Sequence, residues 1–132
     1  MDAAARALAD LTEISAQIRE AALVGPGGET LAGSESLARA AVDLLEAARV
    51  VRTGAGVSQV EASTPAGSLF VVSEGDRLVA ATTVPEPTVG LVFYDLRAAL
   101  RSTSDDQAEA AKPRRRRTKK ADGETEAGDV EA

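Results

Sequence analysis

Gly25-Pro26-Gly27-Gly28 is the first place in this sequence where chemistry could reside. A run of small residues can aim its backbone N–H groups at a phosphate, provided that a Lys and a Ser or Thr then open a helix. Here Glu29 and Thr30 follow and a strand-like stretch begins, so the run reads as a hairpin turn. Gly54-Ala55-Gly56 also leads into a strand and reads as a helix stop, not as a dinucleotide fingerprint. Paired carboxylates are the second option, for acid–base work. Asp10 and Glu13, three apart, share a helix face, yet no neighbouring cation or predicted pocket tunes either one, and they read as solvated surface. Metal binding by oxygen ligands alone needs a tight acidic loop, which the first hundred residues lack. With His 0 and Cys 0, the usual general base, the thiol nucleophile, disulfides and the common zinc ligands are all missing. The expectation is a chain without catalytic, cofactor-binding or metal-ligating residues, and not an enzyme.

A different kind of chemistry sits near the C-terminus. Lys112-Pro113-Arg114-Arg115-Arg116-Arg117-Thr118-Lys119-Lys120 carries seven cations in nine residues. Arg114, Arg115, Arg116, Arg117, Lys119 and Lys120 are the candidate contacts for a nucleic acid or another anionic surface. Seven neutralised phosphates would give a salt slope of about −6. Two features oppose this reading. The acids between Asp122 and Glu131 compete for the same cations, and the chain's aromatics, Phe70, Phe93 and Tyr94, are too few for base stacking. A solvated mixed-charge tail with weak polyanion contact is the expectation.

The elements that would position such residues follow from patterning. The 132 residues suffice for one domain, and the net charge is −6. Residues 1–101 hold 8 Arg, no Lys and 13 acids, whereas residues 102–132 hold 7 basic and 8 acidic residues. The Arg-only, Ala-rich body points to a GC-rich bacterial source, by association of composition alone. Neither a basic-then-apolar leader nor an apolar run of membrane-spanning length is present, so the protein is expected in the cytoplasm.

Apolar spacing predicts a helix over Asp2–Ile14, with Ala4, Ala7, Leu8, Leu11 and Ile14 inward. Short strands follow at Ile18–Val24 and Glu29–Ala32. Ser34 or Ser36 caps a second helix that runs to about Arg52. Strands are then expected at Val57–Thr64, Ser68–Ser73 and Arg77–Val84, separated by Pro65-Ala66-Gly67 and Glu74-Gly75-Asp76. A last helix spans Thr88–Arg101, with Val89, Val92, Phe93, Leu96 and Leu100 inward. From Ser102 onward no apolar periodicity survives, which predicts a folded unit over 1–101 and a disordered tail over 102–132. Leu69-Phe70-Val71-Val72 is apolar without interruption, and a strand apolar on both sides needs helices on both faces of its sheet. The fold class is thus α+β: a five-stranded antiparallel sheet with helices on both faces, in the order α-β-β-α-β-β-β-α. The third strand alternates Val57, Gln59 and Glu61 with Ser58, Val60 and Ala62, which suits an edge or an interface.

Two helices carry more apolar surface than one sheet needs. On the second, Glu35, Arg39, Asp43 and Glu46 form a charged stripe, and apolar residues span about half of the circumference where about 100° would do. Leu37, Leu44 and Val51 recur every seven residues with small residues such as Ala41 and Ala48 between them, which lets two helices approach closely. This predicts that the helix also packs on a second copy. On the last helix, Leu91, Tyr94 and Ala98 lie opposite the core stripe, either as a partner-docking patch or as a seat for the first helix.

This order of elements, with Ala7-Leu8-Ala9-Asp10-Leu11-Thr12-Glu13-Ile14, Gly27 to Gly33, Val57-Ser58-Gln59-Val60-Glu61 and Thr88 to Arg97, resembles the roadblock/dynein-light-chain family. The likeness covers roughly residues 4–101 and is greatest to the bacterial branch that includes regulators of small Ras-like GTPases. The first turn departs from the family, being Gly-Pro-Gly-Gly instead of Asp-rich, and the tail lies outside the shared domain. The resemblance implies a roadblock/longin-like fold and a homodimer in which the second helices pack together and the third strands pair through Val57, Gln59 and Glu61. It implies a non-enzymatic adaptor that binds a small Ras-like GTPase and modulates it. The alternatives are a scaffold subunit of a larger complex, or a protein working on nucleic acid through its tail.

Overall fold

Asp2 opens the structure by capping the first helix: its Oδ1 accepts the N–H of Ala5 at 2.9 Å, satisfying one of the free donors of the first turn. The computed structural model describes residues 2–51 and 58–111, and side chains as far as Thr103. The elements are α1 (Ala3–Ile14), β1 (Ile18–Val24), β2 (Thr30–Gly33), α2 (Glu35–Val51), β3 (Gln59–Thr64), β4 (Gly67–Glu74), β5 (Arg77–Thr83) and α3 (Val89–Ala111). All strand pairs are antiparallel, in the spatial order β2-β1-β5-β4-β3. β2 and β3 are therefore the two edges. Among the described residues, no helix is long and apolar enough to cross a membrane.

The alternation along β4 divides the core. Phe70 and Val72 face α1 and α3, where they meet Leu8, Leu11, Leu23, Val79, Val92, Phe93, Leu96 and Leu100. Val71 points the other way, with Ala22, Val24, Leu78 and Ala80, onto Leu37, Ala38, Ala41 and Leu45 of α2. Helices on both faces are what an apolar run on a central strand requires. Phe70 and Phe93 meet edge to face, with ring centroids 4.9 Å apart at 75°, a favoured aromatic arrangement. Arg97 lies over the Phe93 ring at 5.8 Å. Ser34 caps α2, its Oγ accepting the Leu37 N–H at 3.2 Å.

The β3–β4 turn depends on one glycine. Gly67 has φ +145°, and a Cβ there would collide with the Thr83 carbonyl oxygen. The neighbouring contacts leave no slack, since Thr83 Oγ1 accepts the Ser68 N–H at 3.3 Å and donates to the Val84 carbonyl at 2.9 Å. Gly67→Ala is expected to lower stability by at least about 2 kcal/mol, through the clash and the strained φ together. Chemical denaturation checks this; an unchanged midpoint would show that the turn relaxes freely.

Three expectations need correction. The helical period puts Ile14 and Val89 on the inner faces of their helices, but they are 74% and 40% exposed. Both sit at a helix end, and periodicity puts a residue on a face without guaranteeing an element opposite it. The third correction is larger: α3 does not stop at Arg101 but continues to Ala111. Thr103 is buried and its Oγ1 donates to the Ala99 carbonyl at 3.1 Å, so the helix still packs beyond Arg101. The residues after it, Asp105-Asp106-Gln107-Ala108-Glu109-Ala110-Ala111, include strong helix formers, so helical propensity extends the helix where apolar periodicity has ended. Arg52 and Val57, the expected ends of α2 and β3, lie outside the described residues, as do residues 112–132.

Candidate self-association and docking surfaces

The groups that might have formed a catalytic centre are engaged or apart. In the β1–β2 turn, Gly25 N–H donates to the Glu29 carbonyl at 2.9 Å and Gly28 N–H to the Gly25 carbonyl at 3.0 Å. Gly27 N–H donates to Glu29 Oε1 at 2.8 Å. The donors that a phosphate would need are held within the turn, one of them by a carboxylate. Asp10 and Glu13 are both exposed; Asp10 lines a cleft between α1 and α3 with Asp95, Ala98 and Ser102, and Glu13 does not. Among the described residues, no cluster of acids could hold a metal ion.

The surface that remains lies along β3 and α2. β3 pairs with β4 on one side and is the last strand of the sheet on the other, so its outer backbone groups are free to pair. Gln59 and Glu61 are exposed, and Ser63 Oγ donates to Glu61 Oε2 at 2.8 Å. Val60 is half-buried against the α2 side of the core. Val57 belongs to this region in the sequence but lies outside the described residues.

The residues singled out on α2 divide into two groups. Leu37 is 7% exposed and Ala41 0%, both packed against the sheet within their own chain. They cannot also form a surface for a second copy, and this part of the expected interface is corrected. Leu44 and Ala48 are half-buried, while Val51 is 78% exposed. The free apolar surface is displaced to one flank. At about 100° per residue, Ala40, Leu44, Ala47 and Val51 fall within a strip of roughly 60° beside the core stripe. Val42, about 160° from Leu44 on the same geometry, lines a cleft with Thr30 and Gly33 of β2. The flank of Leu44 therefore turns toward the opposite edge of the sheet, the β3 edge. Ala40 and Ala47 are exposed there, and Val50 near the helix end is 74% exposed. The sequence contained the signal for this flank as surplus apolar width; a seven-residue repeat selects a different set because an undistorted helix drifts about 20° per heptad.

On α3, Leu91 is 50% and Tyr94 69% exposed, and Ala98 is exposed as well. α1 therefore does not cover this patch. Arg114, Arg115, Arg116, Arg117, Lys119 and Lys120 lie outside the described residues.

No family model and no curated protein matches the sequence. Several solved structures match the fold. A roadblock/LC7 domain from Streptomyces avermitilis superposes with a TM-score of 0.69 at 17% identity, covering 78% of this chain and 96% of that domain. The gliding protein MglB from Thermus thermophilus gives 0.66 at 17% identity, with coverage of 81% and 90%. A structure of MglB with a tetrameric arrangement gives 0.67 at 17% identity, with coverage of 81% and 89%. At this identity the likeness establishes the fold: the chain has the roadblock/LC7 architecture that its motifs resemble.

Proposed function

We propose that this chain is a dimeric, non-catalytic adaptor that binds a small Ras-like GTPase and modulates its activity. The observation that carries the reading is the coincidence of an open strand edge, β3, with an apolar α2 flank turned toward the same edge. A strand edge and a helix flank on one side of a sheet form a self-complementary surface, since a two-fold axis would pair β3 with β3 and lay α2 beside α2. Gln59 and Glu61 of β3, with Leu44, Ala48 and Val51 of α2, are the interface residues of this proposal. Self-assembly of a chain with this fold is supported by the MglB structure described as tetrameric.

The GTPase rests on the resemblance of the motifs to regulators of that class and on the shared fold. An adaptor without catalytic groups of its own acts by holding the partner's switch loops in one of their states, and it shifts that equilibrium only as far as it binds one state more tightly. Leu91, Tyr94 and Ala98 are the second proposed contact, an exposed patch on α3 away from the dimer seam. The tagged chain incubated in native lysate with GTP or GDP analogues separates the readings. Capture of a GTPase that depends on the nucleotide supports the proposal. A partner captured equally with either nucleotide supports a scaffold subunit instead. Capture of nucleic acid that disappears with residues 112–132 supports the tail as the working part.

A further inference from the structure

We propose that the groove between α1 and α3 accepts an amphipathic helix of a partner protein, apolar along one ridge and basic at its flanks. The proposal goes beyond the GTPase reading, since it states what chemistry the groove binds and does not depend on a nucleotide. The Gln17 carbonyl accepts the Val84 N–H at 2.9 Å, and Gln17 Oε1 accepts the Thr88 N–H at 2.6 Å. These bonds bring the end of α1 to the start of α3, and the two helices run antiparallel over one face of the sheet. Between them lies a groove of about 190 Å³. Ala7, Leu11 and Ala99 are buried along its floor, and Ala98 is exposed on the α3 wall. Such small side chains let another helix approach closely. The apolar surface continues past the groove. Six large apolar side chains are exposed among the described residues: Val50 and Val51 end α2, and Ile14, Val89, Leu91 and Tyr94 all stand where α1 ends and α3 begins. Apolar residues scattered singly need no explanation, but a cluster beside an apolar groove marks an interaction surface.

The rim fixes the charge of the occupant. Asp10 is exposed on the α1 wall and Asp95 half-buried on the α3 wall. Neither has a hydrogen bond or an ion pair with a described residue, and no lysine or arginine lines the groove. A cation on each flank of an incoming ridge meets both carboxylates, and the pair at Asp95 gains more because that carboxylate is less hydrated. The same charge repels nucleic acid and anionic lipid. It also opposes a second copy, because two grooves set face to face would gather the unpaired aspartates of both chains. The walls decide the conformation. Both are helices whose backbone groups are bonded internally, so an extended segment would leave its own N–H and C=O groups unpaired, whereas a helix satisfies its own. From Leu91 to Ser102 the α3 wall runs about 16 Å, or three helical turns. α2 packs on the opposite face of the sheet, so the groove stays open in the proposed dimer.

The probe is a displayed library of helix-forming peptides about 16 residues long, selected against the full-length chain. Enriched peptides are expected to carry apolar residues at i, i+3, i+4 and i+7 with lysine or arginine beside them. The strongest of them, made synthetically, should shift the amide signals of Ala7, Asp10, Ile14, Asp95 and Ala98 in isotope-enriched protein. D10N combined with D95N should weaken its binding about tenfold and flatten the salt dependence. Ala98→Gln, which fills the groove from an exposed position, should weaken it at least as much. Val51→Glu, at the proposed dimer seam, should leave it unchanged. Far-UV circular dichroism verifies that each variant is folded. No enrichment, enrichment of acidic or non-periodic sequences, shifts centred on α2 or β3, or an affinity that neither groove variant changes would each overturn the proposal. The peptide assay contains no GTPase, so its failure and that of nucleotide-dependent capture are read separately.

Discussion

Leu44→Glu is expected to convert the proposed dimer into folded monomers. Leu44 is half-buried in its own chain, on the flank of α2 that turns to the β3 edge. Burying the remaining half of a Leu side chain contributes about 1 kcal/mol, and a two-fold interface uses the residue twice. Losing both contributions weakens the proposed dimer about thirtyfold, before the larger cost of placing two carboxylates in the seam. The fold should survive because the side chain already borders solvent. Val51→Glu, at a residue 78% exposed, is the companion variant: it should weaken the dimer with no effect on monomer stability. Light scattering over a micromolar concentration series reads both. A wild-type chain that stays monomeric throughout would remove the proposed interface, and the adaptor reading would lose its structural support.

Phe70→Ala should produce the largest loss of stability of any single substitution considered. Phe70 is fully buried on β4, packs edge to face on Phe93, and belongs to the cluster that joins α1, α3 and three strands. Truncating such a side chain costs about 3–5 kcal/mol, because the lost apolar transfer is joined by a cavity that the surroundings fill only in part. Domains of this size have about 5–15 kcal/mol in total, so the variant should sit near its unfolding midpoint in mild denaturant. Urea unfolding followed by far-UV circular dichroism measures the difference. A loss below about 1 kcal/mol would mean that the sheet and α3 close over the vacated space.

Much of the architecture was legible because it is encoded by local rules. Uninterrupted apolar sequence at Leu69–Val72 required cover on both faces, and α2 lies on one while α1 and α3 lie on the other. Half-polar β3 suggested an edge, and it is one. The glycine turns fell where the strands reverse. What failed was also local in origin. Ile14 and Val89 follow the helical period but stand at helix ends, where the period says nothing about what lies opposite. Low hydropathy suggested disorder from Ser102, yet helix formers and the buried Thr103 carry α3 onward to Ala111.

By itself the sequence determined the element order, the sheet with two covered faces and the absence of thiol or imidazole chemistry, because side-chain type and spacing act over a few residues. Only the tertiary structure decided which apolar residues of α2 are spent on the sheet and which remain free. Leu37 and Ala41 differ from Leu44 and Val51 by less than a quarter turn around the helix, too little for periodicity to separate. The position of the sheet beneath them makes the distinction, and that position is set by strands distant in the chain.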